Sequence, residues 1–343
     1  MPKLRNLRLS RRNFLLFLGS AGIGVGIPGG LGLRKKLREV WDAKALPRLY
    51  QAQRQMMGTW VSLTVFSRHE EVALRGMNDA FEAMKAVDEL MSIHKKTSQL
   101  SQLNLYSGRG MMPVDKKLFQ VLGVAQDYAQ KTRGAYDITI LPIMKLFGFY
   151  GVAPKKVPKD LEIASVLGLV GYESVVIDPE HGTVGLQKTG AAIDLGSIGK
   201  GFAVDCAADV LRQCGIRSAL INAGGNMYAL GAPYEDPDPR SGWRVGIRDP
   251  ASREASHVWD TLVLRDQAVA NSATTYQRIQ IGSAEIGHIF DGRSGKPCPL
   301  YGCCTAVSRT ATDADALSTV GYVLGVEAKR LFESATVKFY FHA

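Results

Sequence analysis

The chain has 343 residues, 46% of them hydrophobic, with 42 Lys and Arg against 32 Asp and Glu for a formal charge of +10. Ten basic and two acidic residues fall within 1–45, a net +8, which leaves +2 for residues 46–343. The high basicity therefore belongs to the N-terminal segment and gives no case for nucleic acid as a partner. Five cysteines, odd in number and without C-x-x-C spacing, exclude a legible zinc site or disulfide framework.

Residues 10–19 (SRRNFLLFLG) follow the twin-arginine export pattern, and a glycine-rich, mildly apolar run from Phe14 to Leu33 ends at Arg34, Lys35 and Lys36. A basic segment followed by such a run reads as an export leader over residues 1–45 and is set aside from the fold. Its glycines and proline make it a poor membrane anchor. The expected destination is the periplasm, with the leader either cleaved near Ala43-Lys44-Ala45 or kept as a tether. The remaining residues, 46–343, suffice for one large domain or two interlocked lobes.

Along that part, Met57–Phe66 alternates as a strand and Glu70–Met91 is an amphipathic helix with Ala73, Met77, Ala80, Met84, Val87 and Met91 on one face. Residues 92–104 read as a polar loop and a short helix, and Lys116–Thr132 as a second amphipathic helix ended by Gly134. An apolar, aromatic loop (MKLFGFYG) and an exposed connector at Lys155–Pro158 follow. Ser174–Ile177 and Thr183–Leu186 suggest a strand pair around the turn at 178–182. Ala191–Asp194 reads as a strand leading into a helix that runs to Cys214, and Ser218–Asn222 as a short buried strand. A loop at Pro233–Gly242 precedes short strands at Trp243–Ile247, Thr261–Arg265, Ala268–Asn271 and Arg278–Ile281, and Asp313–Leu324 is a helix. Short strands and helices without a βα rhythm indicate an α+β fold of mixed sheets with packed helices.

Two segments carry the chemistry. Residues 192–205 (AIDLGSIGKGFAVD) space Asp194, Ser197 and Lys200 three apart across a glycine turn and a helix start, where backbone N–H groups and the dipole suit phosphate. Residues 311–319 (ATDADALST) put Asp315, Ser318 and Thr319 within one helical turn of each other. Carboxylate and hydroxyl oxygens suit Mg²⁺, which shares its shell with substrate phosphates and water. Together they suggest a magnesium-dependent site for a phosphorylated ligand. For Thr312 or Asp313 a helix cap is the expected role, whereas Asp315, one turn further in, is harder to explain as a cap.

These motifs, together with MGTWVSLTV, GAYDITILP, LINAGGNMYALG, AVANSATTYQR and HIFDGRSGKP in this order, make the chain resemble the ApbE family of flavin transferases. The resemblance runs from about Met57 to Gly325. It implies an ApbE/T-fold-like fold and transfer of FMN from FAD to a threonine of an acceptor protein. It also implies that Met57, Ala135, Tyr136, Asp137, Asp194, Lys200 and Ile289 contact FAD and that Ser197, Asp315 and Thr319, with Ser318 beside them, serve the metal. Asp315 is the candidate base as well as a metal ligand. His94 stands where the family often has an aromatic ring for stacking, Asn226 where an acid is common, and Gly292 where proline is usual. His288 is a candidate hydrogen-bonding group. With an export leader, the implied acceptor is a flavoprotein outside the cytoplasm, membrane-associated in a respiratory electron-transfer complex such as one for nitrous-oxide respiration. The alternatives are an FAD pyrophosphatase that uses water as the nucleophile, or an FAD-binding assembly factor without turnover.

Overall fold

A computed structural model describes residues 46–249, 257–274, 277–300 and 302–342; the expected leader lies outside these described residues. The alternation Val61, Leu63, Val65 places three fully buried side chains on one face of a strand. That strand is second in a seven-stranded sheet whose members follow one another in chain order: β1 (Arg48–Met56), β2 (Thr59–Ser67), β3 (Ser218–Ala223), β4 (Asn226–Leu230), β5 (Gln267–Ala273), β6 (Cys303–Ser308) and β7 (Lys338–His342). Each strand pairs antiparallel with the next. Long insertions between paired strands carry the rest of the fold.

Three helices line one face of this sheet: α1 (Glu70–Met91), α2 (Gly199–Gln213) and α3 (Ala311–Leu324). The helical face expected for residues 70–91 is the one that α1 buries, with Gly76 and Phe81 added. On α2, Val204, Ala207, Ala208 and Leu211 are buried in the same core. The opposite sheet face is covered by a hairpin of strands Trp243–Arg248 and Val258–Leu264, whose Trp243, Val245, Ile247, Leu262 and Leu264 pack on Phe66, Val269 and Val307. A satellite cluster joins the short helices Leu141–Leu146 and Asp160–Leu167 to the hairpin of strands Arg278–Ile281 and Ala284–Gly287. Strands Met111–Pro113, Thr183–Leu186 and Val175–Asp178 form a small antiparallel sheet, and the amphipathic helix expected from Lys116 runs over Lys116–Lys131.

Several boundaries differ from the sequence reading. Met57 is not in a strand: with Gly58 it forms the turn between β1 and β2, at φ 52° and 70°, the left-handed pair that a two-residue hairpin requires. Ala191–Asp194 is extended but forms only an isolated parallel bridge, Ile140 to Ala192. Its backbone is satisfied otherwise. Asn104 clasps Ile193, accepting from its N–H at 2.7 Å and donating to its carbonyl at 2.9 Å, and Asp194 N donates to Ile138 O at 2.8 Å. The predicted aromatic loop after residue 143 begins inside the helix Leu141–Leu146.

Candidate active site

Helix α3 is held in place from α2. Asp205, the last residue of the first motif, accepts from Ala311 N and Thr312 N, each at 2.8 Å, and from Thr312 Oγ1 at 2.5 Å. Thr310 is the N-cap, exchanging hydrogen bonds with Asp313. Capping thus falls to Thr310 and Asp205, with Asp313 reciprocating, because the helix starts at Ala311, two residues before the expected Asp313.

One turn into α3, Asp315 is 4% exposed and its Oδ2 accepts from Gly201 N at 2.9 Å. Gly201 permits this contact: a Cβ there would lie 2.1 Å from Ala311 O and 2.8 Å from Asp315 Cβ. Burial pushes the Asp315 carboxyl up, opposed by the nearby Lys200 charge and by the Gly201 N–H. Ser318 Oγ donates to Asp315 O at 2.9 Å. Ser272, on β5, joins the group: its Oγ lies 2.7 Å from Ser318 Oγ and 3.2 Å from Thr319 Oγ1. Ser197 Oγ donates to Tyr136 OH at 3.0 Å, and the Tyr136 phenol is 2% exposed with its pKa pushed up by burial and by the Asp315, Asp137 and Asp194 charges.

A second group adjoins the first through Lys200. Asp194 accepts from Gly196 N at 2.6 Å and from Tyr150 OH at 2.7 Å, so it forms a local turn and caps no helix. His94 is exposed, its ring 5.6 Å from that of Tyr150. His288 is half-buried, with Nδ1 donating to Gln277 O at 3.2 Å, which turns Nε2 into the acceptor. Burial lowers its pKa, the Lys200 charge lowers it further, and Asp194 acts in the opposite sense.

The helix start offers fewer free donors than its glycines suggest. Gly196 N binds Asp194, Gly199 N binds Leu195 O, and Gly201 N binds Asp315. Positive charge comes from Lys200, whose Nζ donates to Gly196 O at 2.8 Å.

The remaining predicted residues are engaged in local structure. Asp137 spends its carboxylate on Thr139 N and Oγ1 and on Tyr172 N, at 2.6–2.8 Å. Ala135 O accepts from Gly292 N at 3.1 Å, and a Cβ on Gly292 would sit 2.4 Å from Gly134 O. Proline, lacking the N–H, could not make that bond, so glycine here ties the HIFDG loop to the GAYD segment. Ile289 is buried, its carbonyl accepting from Cys298 N at 2.8 Å. Met57 packs on the main core from its hairpin turn, beside the β3–β4 turn where Asn222 Oδ1 accepts from Gly225 N. Sequence reasoning missed Ser272, Tyr150 and the positioning role of Asp205. Asp205 and Ser272 lay inside quoted motifs, but their partners are 106 and 46 residues away in the chain.

Among the described residues no group of three or more His, Cys, Asp or Glu side chains is placed to hold a metal. The Asp315–Ser318–Thr319 set, with Ser197 nearby, is instead one carboxylate among hydroxyls, all hard oxygen donors. This fits Mg²⁺ shared with ligand phosphates better than a closed protein cage. All five cysteines are free, and burial raises the Cys298 thiol to about 12.

A sequence profile of the ApbE family matches residues 57–341. An FAD:protein FMN transferase of Klebsiella pneumoniae (strain 342) is 30% identical over 82% of this chain and 84% of its own length. One of Treponema pallidum (strain Nichols) is 28% identical over 89% and 83%. The crystal structure of an ApbE protein from Thermotoga maritima superposes with a TM-score of 0.73 at 28% identity, covering 83% of this chain and 90% of that one.

Proposed function

The chain belongs to the ApbE family, and on that premise we propose that it moves FMN from FAD onto a threonine hydroxyl of an acceptor flavoprotein, releasing AMP. The observation that carries the reading is the convergence of Asp315, Ser318 and Thr319 with Lys200, from segments 114 residues apart and locked together by the Gly201–Asp315 hydrogen bond. In the reaction the threonine Oγ bonds to the FMN-side phosphorus while the bond from that phosphorus to the bridging oxygen breaks. AMP leaves with the electron pair, and the hydroxyl proton passes to a base. Asp315, the carboxylate of this cluster, is the candidate base for that proton. Lys200 meets phosphate charge at the start of α2, and the enclosed oxygens of Ser197, Ser318 and Thr319 keep the site polar. Bound Mg²⁺, held by Asp315, Thr319 and Ser197, supplies charge neutralisation at the pyrophosphate and a better AMP leaving group.

Export by the twin-arginine route to the periplasm, and an acceptor at the membrane in a respiratory electron-transfer complex, belong to the same proposal and rest on residues 10–19. Mass spectrometry of the full chain with FAD, Mg²⁺ and an acceptor domain tests the chemistry. The expected result is one FMN added to the acceptor threonine, abolished by EDTA and by Asp315→Ala. Free FMN and AMP with every acceptor unmodified would replace the reading with a pyrophosphatase. FAD bound and unchanged would replace it with a carrier.

A further inference from the structure

Asn226 opens β4 beside Asp315 and is 3% exposed. Its amide faces the Asp315 carboxylate closely enough to help hold that carboxyl down, yet Nδ2 completes no hydrogen bond of normal geometry. Only one other buried side-chain polar atom among the described residues shares this condition, Gln126 Oε1. A buried donor without an acceptor destabilises the protein that carries it. Such a group persists where something else supplies the acceptor. It borders the oxygen cluster of Asp315, Ser318 and Thr319, whose natural guest is an anion with its cation.

We propose that Asn226 is a ligand-binding residue, whose Nδ2 donates to an anionic oxygen of the pyrophosphate group of the bound dinucleotide. The assignment rests on the proposed FAD chemistry. A carboxylate at this position would add negative charge beside Asp315 and present only acceptors to a phosphate. The amide instead presents a neutral donor, so this site meets the pyrophosphate with a hydrogen bond where a second acid would need a cation between them.

The test compares wild type, Asn226→Leu and Asn226→Asp, reading the melting temperature without ligand and the calorimetric affinity for FAD and for riboflavin, which lacks the phosphates. Asn226→Leu should melt at or above the wild-type temperature and bind FAD at least about tenfold more weakly, as expected for one hydrogen bond to a charged group, with riboflavin affinity unchanged. Asn226→Asp, the closest shape match, should also bind FAD more weakly and depend more steeply on Mg²⁺ concentration. Should the leucine variant fail to fold, the aspartate variant decides alone. Equal loss for FAD and riboflavin, or wild-type FAD affinity in both variants, would overturn the assignment and leave Asn226 a packing residue. Wild type that binds no FAD would instead overturn the underlying FAD reading.

Discussion

Asp205→Ala tests the idea that α3, and with it Asp315, is set by a carboxylate on the neighbouring helix. The substitution strips a charged acceptor from Ala311 N, Thr312 N and Thr312 Oγ1. The hydroxyl can turn elsewhere, but two amides at a partly buried helix start cannot. Each such orphan costs about 1–3 kcal/mol, and losing an anion at the positive end of the dipole costs about 0.3–1 kcal/mol more. Against this, burial raises the Asp205 pKa, so part of its ionisation cost is recovered on removal. The balance is a net loss of about 3 kcal/mol. For a domain of about 300 residues, with an unfolding entropy of about 0.63 kcal/mol/K, that lowers Tm by roughly 5 °C. Asp205→Asn, which keeps one acceptor oxygen, should lie between. Thermal melts followed by circular dichroism, with FAD titration at a temperature where each variant is folded, supply the readout. Should Asp205→Ala melt within about 2 °C of wild type and bind FAD equally well, α3 does not depend on its neighbour.

Gly201→Ala puts a methyl 2.1 Å from Ala311 O, so urea denaturation should show a loss of about 2–3 kcal/mol together with weakened FAD binding. Gly123→Ala, a helical position with open space around its Cβ, should be neutral or stabilising by up to about 1 kcal/mol; similar behaviour of the two variants would refute the packing argument. His288 has its pKa lowered in the folded state. On acidification the unfolded chain therefore takes up the proton first, and stability falls as pH drops through about 6.5, levelling off below the folded pKa. His288→Gln should flatten that part of the stability–pH curve, and an unchanged curve would contradict the lowered value.

The periodicity of residues 70–91 and the alternation Val61, Leu63, Val65 were legible because one-sided burial writes itself into spacing. The strand Cys303–Ser308 was not, since all six of its residues are buried and a two-sided core strand loses its alternation. Ala191–Asp194 looks like a strand by composition, but its hydrogen bonds go to an Asn104 side chain that no local pattern announces. For the site, the residues of the two motifs could be named, and the structure gathers Asp315, Ser318 and Thr319. Side chains that complete the site through distant partners, Ser272 and Asp205, stayed invisible because their roles exist only in three dimensions. Tyr150 reads as one more aromatic in a loop until Asp194 is placed beside it.

Chain order and sheet order coincide in the seven-stranded sheet, yet β2 and its neighbour β3 are separated by the whole stretch from residue 68 to 217. Pairings of that span must close large loops before any contact repays the entropy, so the topology implies a high contact order and slow folding. A nascent chain released only as far as residue 300 lacks β6, β7 and all of α3, and with them Asp315, Ser318 and Thr319. On the proposed site, a fragment ending at residue 300 is therefore expected to consume no FAD.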